Sequence, residues 1–222
     1  MAIMEKKENL SYQIYKKLKE KILRLEFPPH YQLKESELCR LFGVSRTPLR
    51  ASLQLLATDS LVEISSGKTT IVKDLSLDEF RDIFQLRDAL EHLSIELAVY
   101  NWSEPQMIAM KENLLKQFLC VKEQKDDIFE FLTLDQEFHI LIGKMSHNLM
   151  LLEDIEKINS LYLRYHYYST FRCRMMVAYI QHKEIAEAIE KRNPNLAKLK
   201  LSSHLDSLKT NILIGLAKKE KM

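Results

Sequence analysis

The chain has 222 residues, a formal net charge of +2 and 46% hydrophobic residues, which is enough apolar material for one large or two small folded domains. It contains no run of 18 or more apolar residues, so we expect no membrane-spanning helix. The polar N-terminus lacks the apolar core of a secretory signal peptide, and three widely spaced cysteines favour reduced thiols, so we expect a cytoplasmic protein.

Only four glycines and five prolines interrupt the chain, which predicts a mainly helical protein. Residues 1–75 carry 13 Lys/Arg against 9 Asp/Glu, a mild basic excess. Solvated helix faces alone can produce such an excess, so the charge is only weak support for nucleic-acid binding.

The first two predicted helices are short. Residues 10–24 repeat apolar side chains at helical spacing, and Pro28 ends that helix because proline cannot donate a backbone hydrogen bond. A second helix is predicted over residues 34–41, with Leu38 and Leu41 facing inward.

The octapeptide at residues 43–50, Gly-Val-Ser-Arg-Thr-Pro-Leu-Arg, is the most informative segment. Ser45 can cap a third helix that runs to about residue 58, and Arg46, Thr47 and Arg50 then fall in its first two turns. An apolar stripe on the same helix consists of Leu49, Leu53 and Leu56. One face can therefore pack on a core while the other faces a nucleic acid, which predicts a helix-turn-helix reading element.

Two β-rich runs follow, at residues 61–64 and 69–72, and a polar tip that contains Gly67 and Lys68 joins them. Helix-turn-helix and hairpin together predict a winged helix-turn-helix domain over residues 1–75, with Lys68 near a minor groove or a phosphate. Each feature also has an ordinary structural explanation, because short two-helix turns and exposed arginines occur in many domains that bind no DNA.

Residues 76–222 show helical signals and no strand pattern. Ser76 begins a capping box, and Asn193-Pro194 is a strong start signal for the last helix. The helices are predicted at about residues 76–100, 103–122, 126–145, 148–171, 174–191 and 193–218. We interpret this part as an antiparallel all-α bundle.

This bundle contains a possible set of metal ligands. Asp135 and His139 lie one turn apart on one helix, and His182 and His204 lie on two later helices. Three imidazoles and a carboxylate suit Zn, Ni, Mn or Fe as divalent ions. Spacing alone is a weak signal, because a histidine on a helix is more often a surface or core residue than a ligand. The aromatic segment 162–168 could line a pocket, and it could equally be core or dimer surface, which is the interpretation we prefer.

Residues 9–75 resemble the DNA-binding domain of the GntR family of bacterial transcription regulators. The similarity rests on Ile22-Leu23, Pro29, Leu33, Glu37-Leu38, the whole of Gly43–Arg50, Leu53, Leu56 and Leu61-Val62. It implies that Arg46, Thr47 and Arg50 contact operator bases and phosphates. The candidate DNA-contacting residues are Ser45, Arg46, Thr47, Arg50, Gly67 and Lys68. Leu25, His30, Ser60 and Thr69 stand where the family usually has glycine.

Residues 76–217 resemble the FCD effector domain of the same family. The matching elements are Arg87-x-x-Leu-Glu91, Asp135-x-x-Phe-His139, the segment from His182 to Ile189, and His204-Leu205. The similarity implies a divalent metal on Asp135, His139, His182 and His204, and a small organic-acid effector. Arg87 and Arg164 are candidate partners of that acid, although Arg87 could equally form a salt bridge to Glu91.

The sequence thus predicts a homodimeric transcription regulator that binds double-stranded operator DNA, with a DNA-binding domain at residues 1–75 and an effector-binding and dimerisation domain at 76–222. We do not expect an enzyme. The competing hypotheses are a metal-dependent enzyme that uses the Asp/His cluster, and a scaffold whose helix-turn-helix contacts only proteins.

Overall fold

The computed structural model describes residues 9–65, 69–123, 128–168 and 174–219. Packing of the backbone divides the chain into two compact units, Met1–Leu75 and Ser76–Met222. Within the described ranges, none of the helices combines the length and apolar content that crossing a lipid bilayer requires.

The first unit is a winged helix-turn-helix. Its elements in chain order are α1 (Leu10–Leu23), β1 (Gln32–Leu33), α2 (Glu35–Phe42), α3 (Arg46–Thr58), β2 (Val62–Ile64) and β3 (Thr70–Val72). The strands form one antiparallel sheet in the order β1-β3-β2, in which Leu33 and Ile64 both pair with Thr70. The sequence predicts the hairpin but misses β1, because two residues carry no alternation pattern.

Leucines from α1 and α3 form the core of this unit. Leu18 lies on α1 and is fully buried, and Leu49 and Leu56 on α3 are equally buried, as their helical spacing predicts. Leu38 of α2 is buried as well. Leu41, however, is 59% exposed, so the prediction that it faces inward is wrong. Of the eight residues of α2, only Leu38 is buried.

Several turns use a left-handed backbone conformation. Gly43 ends α2 with φ of +64°, which a residue without Cβ adopts at no steric cost. Leu25, His30 and Ser60, which stand at positions where glycine is usual in the family, have φ of +58°, +65° and +56°. These turns therefore adopt the left-handed conformation without glycine and carry the strain of a side chain there.

The described residues of the second unit form a bundle of six helices, which confirms the predicted fold class. They are α4 (Leu77–Asn101), α5 (Glu104–Lys122), α6 (Ile128–Met145), α7 (Leu149–Tyr168), α8 (Met175–Glu190) and α9 (Pro194–Lys219). α4 packs against α6, α7 and α9, which places one long helix at the centre. The predicted start of the third bundle helix at Asp126-Asp127 lies outside the described residues.

Two of the predicted helix caps are confirmed. The Ser76 hydroxyl accepts a hydrogen bond from the backbone N–H of Glu79 at 3.0 Å, and the Asn193 side chain accepts one from the N–H of Leu196 at 3.1 Å. Such bonds satisfy the first N–H groups of a helix, so the bounds of α4 and α9 follow from local sequence.

The left-handed turns generate a matched stability prediction. Gly43 and Ser60 occupy equivalent positions, because the next residue's N–H bonds back to the carbonyl five residues earlier in both turns (Val44 to Cys39, Leu61 to Leu56). Ser60→Gly should stabilise the first unit by about 1 kcal/mol, and Gly43→Ser should destabilise it by a similar amount, because a side chain strains a left-handed residue. Hydrogen exchange of the α3 amides measures both; equal shifts in one direction would contradict the explanation.

Candidate metal centre and nucleic-acid interface

The first turns of α3 present an exposed polar surface. Arg46, Thr47 and Arg50 are all exposed, while Leu49, Leu53 and Leu56 on the opposite face are buried. Ser45 occupies the N-cap position of α3 as predicted, but its hydroxyl makes no capping hydrogen bond. The helix thus has one face on the core and one open face with two arginines.

Arg50 is held by an acidic partner that the sequence did not indicate. Its Nε and Nη2 atoms donate hydrogen bonds to the two carboxylate oxygens of Glu35, at 2.8 and 3.0 Å. Glu35 begins α2, 15 residues earlier, so no local spacing rule could have paired the two. The guanidinium is oriented before any ligand arrives.

The wing hairpin lies next to this surface in the same unit. The N–H of Ser65 donates a hydrogen bond to the carbonyl oxygen of Thr69 at 2.9 Å. This bond continues the pairing of β2 with β3 by one residue beyond Ile64 and Thr70. The predicted contact residues Gly67 and Lys68 lie outside the described residues, and their role stays a prediction.

In the second unit, four buried ligand-type side chains come together. Asp135 and His139 lie on α6, His182 on α8 and His204 on α9, and one ligand atom from each lies within 4.8 Å of all the others. All four residues are at most 2% exposed. The i, i+4 spacing on α6 was visible in the sequence, whereas the convergence of three helices was not.

The imidazoles are oriented by hydrogen bonds on their outer nitrogens. Nδ1 of His182 lies 2.8 Å from Oε1 of Gln117, and Nδ1 of His204 lies 3.1 Å from Oε1 of Gln181. Since an amide oxygen only accepts, each Nδ1 carries the proton and each Nε2 carries a lone pair. The two Nε2 atoms nevertheless face one another at 3.2 Å.

A chain of amides fixes the direction of Gln117. Its Nε2 donates to Oδ1 of Asn113 at 2.7 Å, and Nδ2 of Asn113 donates to the carbonyl of Leu134 at 3.1 Å. Oε1 of Gln117 must therefore point to His182. The hydrogen-bond chain joins α5 to α6 and α8 and sets the tautomer of one imidazole.

His139 has a charged outer partner. Its Nδ1 lies 2.7 Å from Oε2 of Glu91, and Nε of Arg87 donates to Oε1 of the same glutamate at 2.5 Å. The salt bridge between Arg87 and Glu91 that the sequence left open is thus present. Burial alone would raise the pKa of Glu91, but the charges of Arg87 and His139 lower it to about 2. Among the described residues neither ring nitrogen of His139 makes a hydrogen bond, so the contact of Nδ1 with Glu91 is an ion-pair contact and Nε2 is free.

Burial sets the protonation of the remaining ligands. It is the largest cause of the lowered pKa of His182 and of His204, so both imidazoles stay neutral, as metal ligands must be. Burial also raises the pKa of Asp135, because the charges of His139 and Arg87 offset the loss of solvation only in part. One carboxylate, the lone pairs on Nε2 of His182 and His204, and the adjacent imidazole of His139 fit a divalent cation by their chemistry.

Helix α7 carries the predicted effector partner Arg164, together with Tyr162 and His166, which the sequence interpretation assigned to core or dimer surface. Arg164 and His166 are buried, and Nδ1 of His166 lies 3.7 Å from Oδ2 of Asp135. The guanidinium carbon of Arg87 lies 3.9 Å from the centre of the Tyr162 ring. Tyr162 and His166 are one turn apart on α7, which is the signal that could have linked them to the cluster.

Comparison with known families gives two matches. The model of the FCD domain matches residues 82–207, and the model of the bacterial regulatory proteins of the gntR family matches residues 10–72. The two matches lie in the two units in turn and include α3 and all four clustered residues.

Two relatives match along most of their own length. The chain is 28% identical to an uncharacterised HTH-type transcriptional regulator, YdhC, of Bacillus subtilis, over 87% of each chain. It is 27% identical to the HTH-type transcriptional repressor RspR of Escherichia coli, over 91% of this chain and 89% of that one. The solved structure of E. coli McbR/YncC has the same fold, with a TM-score of 0.80 at 20% identity over 95% and 99% of the two chains.

Proposed function

Because the chain is a DNA-binding transcription regulator that belongs to the GntR family and carries an FCD domain, we propose that it binds a two-fold operator as a homodimer and that a small organic acid held at a divalent metal sets its operator affinity. The observation that carries the sensing part is the buried cluster of one carboxylate and three imidazoles, two of which have Nε2 free of a proton. As a regulator of bacterial DNA it would act in the cytoplasm.

The open face of α3 supports the DNA contact. Arg46, Thr47 and Arg50 lie in the first two turns, the part of a recognition helix that reaches base edges in the major groove. Arginine gives the commonest specific contact, a bidentate bond to guanine, and threonine serves bases or phosphates. We assign Ser45 to the phosphate-contacting end of α3, and Gly67 and Lys68 to a wing contact.

The tautomers of the imidazoles support the metal. Two neutral histidines whose bare Nε2 atoms face each other at 3.2 Å repel unless a cation lies between their lone pairs. Glu91, Gln117 and Gln181 act on the outer nitrogens, which is how proteins orient metal-bound imidazoles. We propose Asp135, His139, His182 and His204 as the ligands of Zn, Ni, Mn or Fe.

Cationic groups beside the cluster support an acidic effector. Nη1 of Arg87 is buried and has no hydrogen-bond partner among the described residues, so it can donate a hydrogen bond to an anionic ligand. Arg164 is buried on the neighbouring α7. When bound, the metal supplies a Lewis-acid position for one carboxylate of the effector. Arg87 and Arg164 then hold the remaining polar groups, and we propose no catalytic step.

An apolar stripe on α4 supports the homodimer. Leu86, Leu93 and Tyr100 lie seven residues apart on one face and are 51%, 46% and 61% exposed. Residues at this spacing form the seam of paired helices. A two-fold dimer also matches an operator with two half-sites. The effector would favour one of two dimer arrangements, and its differential affinity for them would change the affinity for DNA.

The reading role of α3 generates a quantitative prediction. Arg46→Ala should weaken binding to a duplex that the wild-type protein selects from a random-sequence pool by about 1–3 kcal/mol, if the arginine makes a bidentate base contact. A phosphate contact alone would weaken all duplexes alike and reduce the dependence on salt. Fluorescence anisotropy measures both, with Arg24→Ala at the C-cap of α1 as the matched control. Failure to select any duplex would contradict the proposed DNA reading.

The metal assignment predicts a loss of bound ion. His139→Ala and His182→Ala should each abolish the stoichiometric metal that elemental analysis finds in the purified protein, because each removes an inward Nε2. His92→Ala is the control: this half-buried histidine contacts Ser202 in the same bundle but lies outside the cluster. Circular dichroism checks that the variants fold. Unchanged metal content in both cluster variants would refute the assignment.

A further inference from the structure

The ion pair between Glu35 and Arg50 places an acidic group within the surface that we propose to contact DNA. Both carboxylate oxygens of Glu35 accept hydrogen bonds from one edge of the guanidinium, at 2.8 and 3.0 Å. The side chain of Glu35 is 20% exposed, whereas that of Arg50 is 46% exposed. The carboxylate therefore lies deeper in the unit than the arginine that it holds.

The geometry leaves part of Arg50 available to a ligand. A guanidinium has five N–H donors in a rigid plane. Glu35 takes one donor on Nε and one on Nη2, and the other three lie on Nη1 and Nη2. The two terminal nitrogens form a second fork, which matches O6 and N7 of guanine or two oxygens of one phosphate.

We propose that Glu35 is a positioning residue for DNA recognition: it holds Arg50 in a single orientation with its terminal fork open, and so raises the preference for the operator over other DNA. This inference rests on the proposed contact of Arg50 with DNA. Glu35 itself touches no base, and its carboxylate acts through the arginine.

Two physical effects act in the same direction. A free arginine loses side-chain entropy when it is immobilised on DNA, and an arginine held in advance loses less. The negative charge of Glu35 also offsets the attraction of Arg50 for any phosphate, which is the main source of non-specific binding. An exposed ion pair contributes little to folding, so the effect should appear in DNA recognition and not in stability.

Glu37 is a matched control for the role of Glu35. Glu37 lies on the same helix, two residues further on, and pairs with Lys34 at 3.1 Å, away from Arg50. Glu35→Gln and Glu37→Gln each remove one negative charge from α2. Both variants should therefore gain affinity for any DNA to a similar extent. A difference between the two variants in the preference for the selected duplex then reports the contact of Glu35 with Arg50.

The experiment measures the ratio of affinities for a duplex selected by the wild-type protein and for an unrelated duplex of equal length. Glu35→Gln should lower this ratio about three- to tenfold relative to Glu37→Gln, the loss expected when one long side chain must be immobilised on binding. Glu35→Asp keeps the charge but cannot span the same distance, and it should lower the ratio too. The double variant Glu35→Gln/Arg50→Ala should behave like Arg50→Ala alone.

The other outcomes separate the two proposals. An equal ratio in Glu35→Gln and Glu37→Gln, with a lower one in Arg50→Ala, would overturn the positioning role and leave the proposed DNA contact intact. A full effect in Glu35→Gln with none in Glu35→Asp would also overturn it, because charge alone would then explain the result. If Arg50→Ala leaves the ratio unchanged, the proposed contact fails and the inference fails with it.

Discussion

The second unit depends on one constraint, the free-energy cost of burying ionisable groups in an apolar bundle. A buried carboxylate with three imidazoles is costly unless a cation and outer hydrogen bonds compensate. Side chains from several helices compensate the buried groups by ion pairs and hydrogen bonds: α4 supplies Glu91 and Arg87, α5 supplies Gln117 and α8 supplies Gln181. The cluster therefore links most of the helices, and a change at the cluster acts on all of them.

Helix α4 is the element through which such a change would act on the rest of the protein. It begins at Leu77, directly after the boundary between the two units, and its buried face carries the salt bridge that orients His139. Its exposed face carries the apolar stripe that we assign to the dimer. One rigid helix thus connects the proposed effector partner, a contact with a proposed metal ligand and the proposed dimer seam, which is the physical requirement for coupling between sites.

Local features of the fold could be predicted from the sequence, and long-range ones could not. Helix caps such as Ser76 and the i, i+4 pair of Asp135 and His139 follow from neighbouring residues, so pattern and spacing suffice. The pairing of β1 with β3, the Glu35–Arg50 ion pair and the contact of Gln117 with His182 join residues far apart in the chain. No periodicity encodes them, because they arise only when the helices pack. The non-glycine residues in left-handed turns show the same limit, since tertiary packing there outweighs local preference.

We propose above all that a metal-bound organic acid controls the affinity of the protein for DNA. The most direct test titrates the wild-type protein and His182→Ala with small carboxylic acids while anisotropy follows binding to the selected duplex, with added divalent metal and after chelation. We expect that one of these acids changes the dissociation constant for DNA at least about fivefold, which is the usual lower limit of allosteric coupling. The change should occur only in the metal-loaded wild-type protein. An acid that changes it equally in the chelated protein or in His182→Ala would contradict the account.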